Sequence, residues 1–340
     1  MSRTRGAETR GGTAAKFALV ALSVTLALVA AEVALRLIPL PQRFLSAAEI
    51  WRAQRTPDEA ALIHEDVEIG GVTFREEALP ERAFASGATR LLFLGDSFTV
   101  GAGLERREDR FSDRVEAALA ADRGEEVFIF NAGRGGSWPH RWSDYLVALF
   151  PVVKPQAVVA VFFLRDGALL STSLHLNRRD LAPIHARTRD RPLYGTSALF
   201  SFFWDRLAWA EYTALFTAKL KQSYLGSHAE RAMWRLQQRA LLAMAARCRS
   251  ESVPFHLVIF PLLFELDGYA FHDVEAEIVL FAERNSIPVF SLTPAFLGKR
   301  DHELWVASNN QHPNALGHRI AAERLFPYVR DRVLGGEMSE

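Results

Sequence analysis

The chain has 340 residues, its 40 Lys and Arg balance 40 Asp and Glu, and hydrophobic residues make up 49% of it. That balance leaves no basic footprint for a nucleic-acid partner, and the composition is that of an ordinary globular protein. The single cysteine, Cys248, excludes an internal disulfide and any zinc site built on cysteines.

Residues 1–16 are polar and basic, with Arg3, Arg5, Arg10 and Lys16 against one acid, Glu8. No charge interrupts Phe17 to Ala31, and apolar residues resume through Leu40. This pattern predicts a cytoplasmic basic tail over 1–16 and a transmembrane anchor or signal over 17–40, long enough for a bilayer core of about 30 Å. Val29-Ala30-Ala31 offers a small-residue cleavage site, so anchor and cleaved signal both stand open. Glu32 and Arg36 lie near the distal end, where polar side chains reach the interface. Positive charge stays inside, so the rest of the chain is expected outside the cytoplasm. Residues 41–87, punctuated by proline and glycine, read as a connector, with Val67–Ile69 and Val72–Phe74 forming a hairpin.

Strands and helices then alternate. Apolar runs over 90–94, 127–130, 157–164, 255–261 and 288–292 read as buried strands. Helical spacing marks 108–122, 139–150, 229–249, 271–285 and the stretch from Asn314 to about Arg332. Such alternation predicts an α/β fold, a parallel sheet covered by helices on both faces. Residues 168–250 interrupt it as a helical insertion. Its middle, Leu199 to Leu220, is rich in aromatic residues, among them Phe200, Phe203, Trp204 and Trp209. An apolar lid, an acyl groove or a membrane-facing surface would use such a stretch, and so would a helix packed on the core.

Four polar stretches fall at strand C-terminal ends or at the start of the last helix. They are Gly95-Asp96-Ser97, the glycines of 133–136, Arg165-Asp166, and His312-Pro313-Asn314-Ala315-Leu316-Gly317-His318. Parallel topology gathers such edges in one crevice. A serine and a histidine there fit an activated nucleophile, since a hydroxyl is weak until a base takes its proton. The other histidines show no metal-ligand spacing, so neither a metal nor another cofactor is expected.

Leu-Gly-Asp-Ser-Phe-Thr and, 215 residues after Ser97, His-Pro-Asn-Ala-Leu-Gly-His resemble the first and last blocks of the SGNH (GDSL) hydrolases. The resemblance covers residues 88–335 outside the insertion. It implies a flavodoxin-like three-layer sandwich with a five-stranded parallel sheet. It also implies Ser97 as nucleophile and His312 as general base, with the Ser97 amide and Gly136 lining an oxyanion hole. Gly136 stands five residues after Asn131, as in the family's Asn-x-Gly-x-x-Gly turn.

Two positions depart from that pattern. Arg165 replaces the family's oxyanion-hole asparagine, either donating hydrogen bonds to an oxyanion or pairing with Asp166 or another acid. Asn309 and Asn310 stand where the family places the aspartate that orients the histidine. Either amide would take that role, or Asp301 or Glu303 would supply the carboxylate. His318, further along the last helix, reads as structural. With the anchor and orientation read from residues 1–40, the resemblance implies a membrane-anchored extracytoplasmic esterase or O-acyltransferase. Its partner would be an acyl-ester substrate, with carbohydrate of the cell envelope or exported polysaccharide as the implied class. A lipid esterase is one alternative. A catalytically degenerate, membrane-tethered binding or scaffold protein is another.

Overall fold

The computed structural model describes residues 8–37, 66–85, 87–168, 178–307 and 310–335. Backbone contacts divide the chain into two units, residues 1–52 with 178–213, and residues 53–177 with 214–340.

The smaller unit contains helix α1 (Glu8–Leu37). Within it Thr13–Leu37 is 25 residues long, has a mean hydropathy of 2.3 and buries none of its length, so it is long and apolar enough to cross a membrane.

The larger unit opens with a two-stranded antiparallel hairpin, β1 (Val67–Ile69) and β2 (Val72–Phe74). The segment read as a connector is tied into the core here. Phe74 is fully buried and meets Phe130 and Tyr145 edge to face. Glu76 is buried too, accepting from Arg110 Nη2 at 2.9 Å and from the Asn131 amide at 3.3 Å. Arg110 is itself fully buried and donates through Nε to Asp113 at 2.7 Å. Each of these charges has a partner, which a buried ion requires.

Five parallel strands follow: β3 (Thr89–Gly95), β4 (Val127–Gly133), β5 (Ala157–Phe163), β6 (Phe255–Phe260) and β7 (Val289–Ser291). Their order is β4-β3-β5-β6-β7, the flavodoxin-like doubly wound order. Every residue of β4, β5 and β6 is buried, as a parallel sheet covered on both faces demands. Helix α2 is the single turn Ser97–Val100. Helix α3 (Phe111–Arg123) packs against the last helix on one face. Helix α4 (Pro139–Val153) lies on the other. That split follows from right-handed crossovers, because β3 to β4 and β4 to β5 run in opposite directions across the sheet. The expected α/β sandwich is therefore the fold observed.

The insertion holds α5 (Arg178–Arg189) and one long helix, α6 (Ala198–Leu225). In its second half Phe216, Leu220 and Tyr224 are fully buried, and Phe216 meets Phe264 and Phe271 edge to face. This half is a core helix. Tyr224 Oη accepts from the Gly167 amide at 3.0 Å and donates to the Leu164 carbonyl, fixing the turn after β5. Helix α7 (Ala232–Ser250) packs on α4 and, through Trp234 against Phe281, on α8 (His272–Arg284). The short turn α9 (Thr293–Phe296) leads to β8 (Trp305–Ala307) and β9 (Asn310–Pro313), an antiparallel pair, and then to α10 (Ala315–Tyr328). The apolar spacing did not reveal this hairpin, since strands of three or four residues leave no periodic signal.

Candidate active site

Ser97 stands at the first position of α2, directly beyond the C-terminal end of β3. In this strand order the winding direction reverses between β3 and β5, and a crevice opens there. The turn is tight. A Cβ on Gly95 would lie 1.9 Å from Thr99 Oγ1, and one on Gly133 would lie 2.3 Å from the Val100 amide nitrogen. Only glycine allows this approach of α2 to β3 and β4. Asp96 caps α2, accepting from the Phe98 amide at 2.8 Å. Asn131 locks the far side, donating to the Thr99 carbonyl at 2.7 Å and to Ser112 Oγ at 2.8 Å while accepting from the Gly133 amide at 2.9 Å. Ser97 is 4% exposed, so its hydroxyl faces a site nearly closed to water.

His312 reaches that hydroxyl from β9. Its Nε2 lies 2.8 Å from Ser97 Oγ, and its Nδ1 lies 2.5 Å from Asn310 Oδ1. An amide oxygen only accepts, so Nδ1 carries the proton and Nε2 is left to accept from the serine. Asn310 Oδ1 also accepts from the His312 backbone amide at 3.3 Å, which fixes the side chain that fixes the ring. Asn309 lies outside the described residues. Asp301 accepts from the Glu265 and His302 amides, and Glu303 pairs with Arg300, so both carboxylates are engaged elsewhere. Burial pushes the His312 imidazole down to about 4, and the nearby Arg165 charge pushes the same way. The ring is neutral at physiological pH, the form a general base needs.

Arg165 follows β5 on a one-turn 3-10 helix, Leu164–Gly167. It is buried, and its Nη2 lies 3.8 Å from Asp96 Oδ2, close enough for attraction and too far for a hydrogen bond. The acid nearest to it is thus Asp96, and the Arg165 charge also acts on the Asp166 carboxyl. Asp166 is fully buried, with Oδ2 accepting from the Phe163 amide at 3.0 Å. Burial raises the Asp96 carboxyl to about 6, against the opposing pull of Arg165. Gly136 adopts a left-handed φ of 68° in the loop after β4, with open space where a Cβ would stand.

A cavity of about 30 Å³ adjoins His312, walled by Phe98, Phe163, Leu262, Leu263, Phe264 and Arg165. Phe98 and Phe163 stack with centroids 3.9 Å apart and close one side. Leu262, Leu263 and Phe264 come from the stretch after β6, and no motif marked them. A larger cavity, about 630 Å³, lies at the N-terminal ends of β6 and β7, the opposite edge from Ser97. His318 is fully buried in α10. Its Nδ1 accepts from the Phe111 amide at 3.2 Å, and its ring stacks on Phe111, a packing role. No group of His, Cys, Asp and Glu suited to holding a metal occurs among the described residues.

No family model and no curated protein matches the sequence. Solved structures similar to it include that of TesA, with 16% identity and a TM-score of 0.44 over 71% of this chain and 98% of that one. A lipolytic protein of the G-D-S-L family from Desulfitobacterium hafniense DCB-2 has 14% identity and a TM-score of 0.39 over 70% and 98%. A carbohydrate acetylesterase family member from Sinorhizobium meliloti has 14% identity and a TM-score of 0.39 over 72% and 99%.

Proposed function

We propose that the chain is an SGNH (GDSL)-type serine esterase or O-acyltransferase, held in a membrane by residues 17–40 with its larger unit outside the cytoplasm. One observation carries the catalytic part: Ser97 Oγ, His312 Nε2 and Nδ1, and Asn310 Oδ1 form one hydrogen-bonded line. In the first half of the cycle His312 takes the Ser97 proton as Oγ attacks the ester carbonyl. The C–O bond to the alcohol then breaks, and the imidazolium returns its proton to the leaving oxygen. The acyl-enzyme is consumed by water in a hydrolase, or by a sugar hydroxyl in a transferase, with His312 again taking the proton. The Ser97 and Gly136 amides and the Arg165 guanidinium are the donors for the oxyanion. Arg165 suits this because its contact with Asp96 leaves its N–H groups unspent.

The anchor rests on the apolar span Thr13–Leu37 and the basic residues before it. Acyl groups of cell-envelope or exported polysaccharide are the substrate class that the sequence resemblance implies. The cavity beside His312 favours a small acyl group over a long chain, and so disfavours a lipid esterase. A second reading, a degenerate tethered binding protein, is favoured by the amide of Asn310 in the acid's place.

Purified full-length chain assayed on aryl esters of increasing acyl length tests the site. The acetate is expected to exceed the octanoate in kcat/KM by about tenfold or more, since the space beside His312 is small. Equal or better turnover of the octanoate would overturn the small-acyl assignment. Identical rates for the Ser97→Ala variant would overturn Ser97 as nucleophile.

A further inference from the structure

The smaller unit contains a contact between residues 165 and more positions apart in sequence. Glu32, near the end of α1, accepts from Ser197 Oγ at 2.6 Å and from the Ala198 and Leu199 amides at 2.9 Å each. These are the first donors of α6, which an α-helix leaves unsatisfied. The cap of α6 is therefore shared by Glu32 of α1 and by Ser197, whose Oγ accepts from the Phe200 amide at 3.3 Å. Arg36, one turn further, pairs with Glu32 and donates to the Thr196 carbonyl at 3.0 Å. A carboxylate inside an apolar span is costly, and here its cost is offset by three donors and a cation.

The latch sets a depth. Glu32 stands five residues before Leu37, about 8 Å along the helix axis, so the start of α6 lies beside the distal end of the apolar span. From that point α6 carries Phe200, Phe203 and Leu207, exposed to 39%, 52% and 48%, at spacings of three and four that place them on one face. Leu193, in the preceding loop, is 54% exposed. Two polar side chains of this stretch find partners within it. Trp204 Nε1 donates to the Pro192 carbonyl at 3.1 Å, and Tyr194 Oη donates to Asp205 at 2.9 Å. The Arg191 guanidinium lies 4.9 Å from the Trp204 ring centroid. Aromatic rings, arginines and bare aliphatic side chains at one level are what a lipid headgroup layer accommodates.

We infer that the first half of α6 lies in the outer headgroup layer of the membrane that α1 spans, with lipid covering Phe200, Phe203 and Leu207 and the Glu32 cap fixing it there. This rests on the anchoring proposed above, and the test separates the two. Full-length Phe203→Cys, in a Cys248→Ala background, is labelled with an environment-sensitive fluorophore and reconstituted into liposomes. The label is expected to emit to the blue, to be quenched by nitroxide-bearing lipid and to be shielded from aqueous iodide. Adding Glu32→Ala is expected to shift emission to the red and admit iodide while the chain stays in the membrane pellet. A label quenched by iodide and untouched by nitroxide lipid, on a chain that pellets with membranes, would overturn this inference and leave the anchor standing. A chain that does not pellet would overturn both. Shielding from both quenchers, with Phe203→Cys crosslinking between chains, would assign the face to a second copy and overturn the lipid.

Discussion

Asn310→Asp is expected to raise turnover of a simple aryl acetate by at least about tenfold, towards the roughly 10⁴-fold that separates aspartate from asparagine in a serine protease triad. The reason lies in the proton inventory of the site. Asn310 holds Nδ1–H in place but gives no countercharge when His312 becomes an imidazolium. Burial and the Arg165 charge hold that imidazole at about 4, a feeble base for a serine hydroxyl. A carboxylate at 310 stabilises the cation and raises the histidine pKa. The pH profile then moves with the rate. The wild-type rate is expected to fall only as pH drops through about 4, because above it His312 is already neutral. The Asn310→Asp limb should lie higher, towards the ordinary histidine value. Assays over pH 3.5–8.5 read both effects. An unchanged rate together with an unmoved limb would show that Asn310 does not govern His312.

His312→Ala is expected to cost about 10²-fold in wild type; in the Asn310→Asp background the loss grows by the factor that Asn310→Asp gains, up to about 10⁶-fold. Triad members act as a unit. In a well-studied protease, removing the base costs about 2 × 10⁶ and removing the acid alone about 3 × 10⁴, so a triad already lacking its carboxylate has little left to lose. The four-variant cycle measures the coupling directly. Equal losses in both backgrounds would mean that residue 310 and His312 act independently, against the 2.5 Å contact between them. Melting temperatures of all four variants separate this from unfolding.

The sheet was legible because burial on both faces writes itself as unbroken apolar runs, such as Leu91-Leu92-Phe93-Leu94 and Val158-Val159-Ala160-Val161. The crevice followed from topology, since parallel strands bring Gly95, Gly133 and Arg165 to one edge whatever their separation in sequence. Two amides, Asn309 and Asn310, suited the place beside His312 equally from spacing. The structure gives the contact of Asn310 with His312 Nδ1, while Asn309 lies outside the described residues. What stayed hidden depends on tertiary contact alone. Nothing near Glu76 in sequence announces Arg110, and nothing near Glu32 announces Ser197. Glu32 reads from the sequence as a blemish in an apolar run, and in the structure it caps another helix. The aromatic stretch of the insertion read as one feature, yet its two halves differ. Phe216 is buried in the larger unit, and Phe203 is bare in the smaller.

Labelling the purified chain with a fluorophosphonate probe, then mapping the adduct by peptide mass, tests the central claim that Ser97 is an activated nucleophile. The probe is expected to add one phosphonyl group, on Ser97, and to leave the folded Ser97→Ala variant unmodified. A wild-type chain that melts cooperatively yet stays unlabelled, with Asn310→Asp unlabelled beside it, would contradict the account and turn the fold into a binding scaffold.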